Sequence, residues 1–167
     1  MAVEIHENFY QGLRCFMCSN SSKVNMSFVK LDGTTFNEHY FPSVLDGNNA
    51  GFAGYSSSSN RWWMRVGNGE RTSESDYKLG SELSNIGTYS SSLNTSYDDT
   101  SKIITANFTA IGKNNNSVQI SITEIGIITY CNSYANRVLC AYEHLESPIV
   151  VEPGKYFTAK MIIKIQT

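Results

Sequence analysis

Residues 156–166 read Tyr156-Phe157-Thr158-Ala159-Lys160-Met161-Ile162-Ile163-Lys164-Ile165-Gln166, and this stretch decides the fold class. Phe157, Ala159, Met161, Ile163 and Ile165 fall on one side of an extended chain. Tyr156, Thr158, Lys160, Lys164 and Gln166 fall on the other, with Ile162 the exception. Successive Cβ atoms of a strand point to opposite faces, so a period of two marks a strand with one buried face and one wet face. The turn before it is Glu152-Pro153-Gly154-Lys155, where Pro153 presets φ and Gly154 takes the turn conformation that other residues resist.

The same pattern recurs upstream. Val118, Ile120 and Ile122 alternate with Gln119, Ser121 and Thr123; Ile104, Ala106, Phe108 and Ala110 alternate with polar residues. Gly112-Lys113-Asn114-Asn115-Asn116 lies between these two runs, and the reading is an antiparallel hairpin around an Asn-rich turn. Val138, Cys140 and Tyr142, with Leu139 and Ala141 on the reverse, predict a further strand before Pro148. Trp62, Met64 and Val66 alternate with Arg61, Trp63 and Arg65, so one side enters the core, and the arginines suggest that the other meets solvent or a partner, with Trp63 either accessible there or packed under an Arg stem and the polar loops. Arg61, Trp63 and Arg65 are therefore the candidate interface, since aromatic residues and Arg are common interface anchors.

Composition agrees with strands. The 167 residues are 41% apolar and 17% charged, and include ten Tyr and eight Phe among many Ser, Thr and Asn. That balance suits a folded β protein with polar turns. Residues 1–61 alternate less regularly: Met26, Phe28 and Leu31 suggest a strand, and Asp32-Gly33 and Asp46-Gly47-Asn48-Asn49 suggest turns. Residues 67–83 are polar apart from Tyr77 and Leu79, with Ser73 a possible cap three residues before Asp76, and residues 90–100 read as an exposed loop or irregular edge. The expected architecture is all-β, an antiparallel β-sandwich of jelly-roll type with long polar loops. Residues 62–167 form its core; residues 1–61 add strands and an irregular assembly arm, within one integrated domain.

Chemistry is sparse. The net charge of -2, with no concentrated basic stretch, disfavours direct nucleic-acid binding. Apolar runs fall well short of the ~20 residues that cross a bilayer, and the start lacks signal-peptide regions. Synthesis in a cytoplasm is expected, where the sequons at Asn25 and Asn107 carry no sugar. Cys15, Cys18, Cys131 and Cys140 lack the spacing of a complete zinc set and read as reduced thiols. His6, His39 and His144 are scattered, no cofactor motif is present, and Gly67-x-Gly69 lacks the rest of a phosphate loop and reads as a turn. Glu124 interrupts an apolar strand without a partner carboxylate. It reads as an acceptor for nearby backbone or hydroxyl donors, with Gly126 at a bulge or tight bend.

Over residues 62–167 the chain resembles a group of small structural proteins of tailed-bacteriophage virions. The resemblance is carried by Val66-Gly67-Asn68-Gly69 followed by Ser75-Asp76-Tyr77-Lys78-Leu79; by Ile122-Thr123-Glu124-Ile125-Gly126-Ile127; and by Arg137 to Glu143 followed by Pro148-Ile149 and Pro153-Gly154. Tyr142 stands where that group commonly has Arg. The resemblance implies a non-enzymatic virion component at the capsid surface, head–tail junction or tail, binding other virion proteins and copies of itself. The other reading is a carbohydrate-binding host-attachment module, in which Trp63 and tyrosines stack on a glycan.

Overall fold

A computed structural model describes residues 3–10, 26–38, 62–70, 77–130 and 137–166. Among them the strands are β1 (Glu4–Ile5), β2 (Met26–Val29), β3 (Thr35–Glu38), β4 (Trp62–Gly67), β5 (Ile86–Asp98), β6 (Ile103–Asn114), β7 (Ile120–Tyr130), β8 (Arg137–Val151) and β9 (Tyr156–Gln166). They form a four-stranded sheet of order β1-β8-β7-β4, a three-stranded sheet of order β5-β6-β9 and the hairpin β2-β3, with every pairing antiparallel. The chain is an all-β, sandwich-like fold.

The core lies where the two larger sheets face one another. β9 alternates as its sequence dictates, with Phe157, Ala159, Met161 and Ile163 buried and the residues between them exposed. β6 matches it across the ladder, where Phe108 pairs with Met161 and Ala106 with Ile163. From the opposite sheet come Met64, Val66, Ile122, Ile125 and Ile127. Each large apolar side chain buried in this layer stabilises the fold by about 1.5–3 kcal/mol.

The Asn-rich segment is not a hairpin turn. β6 pairs with β5 and β9, and β7 with β8 and β4, so the chain crosses from one sheet to the other between Asn114 and Ile120. Alternation gives each strand an apolar face but does not say whether two such faces lie side by side or opposed. Asn114 is fully buried at this corner. Its Nδ2 donates to Val118 O and Val151 O, both at 2.9 Å, and its Oδ1 accepts from Asn116 N at 2.9 Å and Asn116 Nδ2 at 3.0 Å. The Pro153-Gly154 turn closes on the same corner: Gly154 has φ of 73° and donates from its N–H to Asn114 O at 2.8 Å.

Residues 86–98 form a strand where the Ser-rich composition suggested a loop. β5 has no apolar alternation of its own and is held by the β6 ladder, with a shift in register between Thr88 and Ser90. β8 runs through Pro148 because Ile149 pairs with Ile122 and His144 with Glu124, leaving residues 145–148 opposite Thr123 alone. A proline with no N–H fits such a bulge. A second bulge lies where Ile127 pairs with Ala141 and Ile128 with Leu139, which turns Cys140 and Ala141 both to the main core.

The N-terminal region joins the sandwich. β1 pairs with β8, Phe9 and Phe28 enter the main core, and Leu31 N donates to Arg137 O at 3.0 Å. Asn8, 1% exposed, links these pieces: its Nδ2 donates to Val29 O at 2.9 Å and Leu139 O at 3.1 Å, and its Oδ1 accepts from Val29 N at 2.9 Å. The expected assembly arm falls largely on residues outside those described.

Two predictions follow from these polar anchors. Asn114→Ala leaves carbonyl and N–H groups of the corner without partners and should cost about 2–4 kcal/mol in urea unfolding, against less than about 0.5 kcal/mol for the exposed Asn115→Ala. His6 Nδ1 accepts from Asn8 N at 3.1 Å, and burial holds the imidazole below its usual pKa although Glu7 opposes the shift. The folded state therefore favours neutral His6, so this contribution to stability is present above the ordinary histidine pKa and falls as pH drops through it. The protection of the Asn8 amide, corrected for the intrinsic pH dependence of exchange, should fall below about pH 6.5 in the wild type and lose that dependence in His6→Gln.

Candidate functional site

The motif residues meet on the outer face of the four-stranded sheet. Ile120 and Ile122 of β7 point to the main core; after the irregularity between Ile122 and Glu124, Ile125 and Ile127 do so. That single offset turns Glu124, Gly126 and Ile128 to the opposite side. The rows across this face are Gly67, Glu124 and His144; Arg65, Gly126 and Tyr142; Trp63, Ile128 and Leu139. Residues of the connection after β4 lie over it.

Glu124 is fully buried, and both of its oxygens are engaged by backbone. Oε1 accepts from Ser81 N at 2.9 Å and Gly69 N at 3.2 Å, and Oε2 accepts from Gly80 N at 3.0 Å. Three oriented N–H dipoles replace the water that the carboxylate gives up, and charge-assisted bonds are the stronger kind. The connection is also tied to itself and to β7: Asn68 N donates to Ser81 O and Leu83 N to Val66 O, both at 2.9 Å, and Thr123 Oγ1 donates to Gly69 O at 2.9 Å.

The glycines of the motifs are spaces this clamp fills. A Cβ on Gly67 would overlap the Glu124 carboxylate and come within 2.6 Å of Ser81 O. One on Gly126 would lie 2.9 Å from Leu79 Cδ2 and 3.0 Å from Leu139 Cδ1. Leu79 thus seats on the bare backbone of Gly126 and joins Trp63, Ile128, Leu139 and Tyr142 in a second apolar cluster, with Leu31 packed against it.

This arrangement decides the place of Trp63 in the expected interface. Trp63 is 3% exposed and belongs to the second cluster, so it is not an accessible platform for a sugar or a partner. A strand buried on both faces hides its second row of side chains as well as its first. Arg65 is largely covered and pairs with Glu82 at 2.8 Å. Arg61 and Asp76 lie outside the described residues. Pro153 and Gly154 belong to the Asn114 corner.

Other chemistry is limited. Among the described residues no group of three or more His, Cys, Asp and Glu is placed to hold a metal ion, and Cys140 is buried in the main core. A cleft lined by Lys30, Leu31, Asp32 and Arg137 has a volume of about 180 Å³, below the usual size of a ligand pocket. No described helix is long and apolar enough to cross a membrane. Sequence reading missed the buried Asn8 and Asn114 and the exposed pair Tyr89 and Tyr156, whose rings meet edge to face at 5.2 Å beside Lys113. Asn in a turn and Tyr in a polar strand carry no signal of such roles.

The clamp makes a direct prediction. Glu124→Gln puts an amide donor against one set of N–H groups and should cost about 2–3 kcal/mol, with faster exchange at Gly69, Gly80 and Ser81. Gly126→Val should displace Leu79 and shift tryptophan emission to the red as Trp63 becomes wet; unchanged emission would show that Leu79 does not seal the cluster. Comparison with protein-family models, with curated proteins and with solved structures finds no match to the chain.

Proposed function

We propose that this chain is a non-catalytic structural subunit of a tailed-bacteriophage particle, binding neighbouring subunits at the capsid surface, the head–tail junction or the tail. The observation that supports this reading is the convergence of Gly67, Gly69, Leu79, Glu124 and Gly126 on one clamp, although Gly69 and Glu124 are 55 residues apart in sequence. These residues carry the resemblance to virion proteins, and their spacing answers an architectural need. The Glu124 carboxylate has its oxygens committed to backbone N–H groups and is not poised for proton transfer. A rigid mount with both faces of its central sheet covered suits work by surface complementarity.

Mass spectrometry of purified particles tests the proposal. The chain should be present at a fixed ratio to the major capsid protein and remain after washing in high salt. Its absence from mature particles would overturn the proposal. Saccharide binding on a glycan array, lost in Tyr89→Ala and Tyr156→Ala, would then favour a host-attachment module.

A further inference from the structure

Asn68-Gly69 is the sole Asn-Gly pair in the chain. The clamp needs the glycine: a Cβ at Gly69 would lie 2.5 Å from Ser81 N and 2.7 Å from the carbonyl carbon of Gly80. That need places a chemically labile pair at the mouth of the clamp. With no side chain after the asparagine, the following backbone nitrogen can reach the amide carbon, and asparagine is among the thermolabile residues. Asn68 is exposed, so water reaches it. The backbone around it is pinned on three sides. Asn68 N donates to Ser81 O at 2.9 Å, Gly69 N donates to Glu124 Oε1 at 3.2 Å, and Gly69 O accepts from Thr123 Oγ1 at 2.9 Å.

We propose that Asn68 is a deamidation site held unreactive by Glu124, so that opening of the clamp is recorded as a permanent covalent change. In this reaction the Gly69 N–H gives its proton to solvent base, and the nitrogen bonds to Asn68 Cγ. The Cγ–Nδ2 bond breaks, and ammonia leaves with a proton taken from water, closing a succinimide ring. Water then adds to one of the two ring carbonyls and that C–N bond breaks, which leaves an aspartyl or isoaspartyl residue at position 68. In the closed clamp the first step sets a negative nitrogen within hydrogen-bond distance of the Glu124 carboxylate, and like charges so close disfavour the loss of the proton. The bonds from Asn68 N and to Gly69 O also hold the peptide plane against the rotation that ring closure requires. Both products add a carboxylate beside Glu124. The isoaspartyl product also routes the main chain through the former side chain, which moves the Gly69 N–H away from Oε1. Once made, the change opposes reclosing.

Peptide mass spectrometry of the full chain, incubated in mildly alkaline buffer, reads the loss of the amide at position 68, with circular dichroism to establish that each variant is folded. In the folded wild type the conversion should run about tenfold or more slowly than in the same chain unfolded in urea. Glu124→Gln removes the negative charge opposite Gly69 N and should bring the rate most of the way to that of the unfolded chain. Thr123→Val keeps the carboxylate but releases Gly69 O, and should give an intermediate rate; it decides the matter if Glu124→Gln does not fold. Asn68→Gln should abolish the conversion, which locates it. A folded wild type that converts as fast as the unfolded chain overturns the proposal, as does a folded Glu124→Gln, or in its place Thr123→Val, that converts no faster than the wild type. These rates are measured on the isolated chain, so they stand or fall separately from the virion role.

Discussion

Burial of both faces of the sheet β1-β8-β7-β4 governs the rest of the structure. One face packs on β5-β6-β9, and the other receives the connection after β4. A strand with one wet face needs only alternation, but a central strand covered on both sides must supply apolar groups to each while keeping its hydrogen-bond ladder. β7 does so with an offset at Thr123 that changes which residues face the core. The offset turns a carboxylate and a glycine outward, and the covering segment is built around them.

Polar side chains fix the places where alternation gives no instruction. Glu124 holds the covering connection, Asn114 holds the crossing between sheets, and Asn8 holds the hairpin β2-β3 against β8. Each is buried, and each binds backbone groups of segments distant in sequence. Apolar packing is tolerant of small shifts, whereas a buried amide or carboxylate loses its partners if the segment slips. These groups set position as well as adding stability.

The outside is correspondingly plain. The outer rows of β5-β6-β9 present Ser92, Thr109 and Lys160, then Asn94, Asn107 and Ile162, with Tyr89 and Tyr156 at one end. Among the described residues the buried polar groups hold the frame from inside.

The sequence by itself determined the strand class, because a period of two in β6, β7 and β9 is a local property of an extended backbone. It also pointed to Glu124 as a backbone acceptor; Gly126, read as a bulge or tight bend, instead pairs in register with Arg65 and Tyr142 and leaves room for Leu79. The partners of each strand were decided by tertiary structure. The alternation of residues 104–110 and 118–122 is the same for a hairpin and for strands in opposed sheets, and the buried Asn114 corner selects the second. β5 has too little hydrophobic pattern to announce itself and becomes a strand through the ladder of β6. For Trp63, which alternation assigns to the second face, the sequence left an accessible platform and packing under the polar loops both open; Leu79 and its neighbours lying over that face decide for packing. Local periodicity specifies which side of a strand a residue occupies, and long-range packing decides what lies on that side.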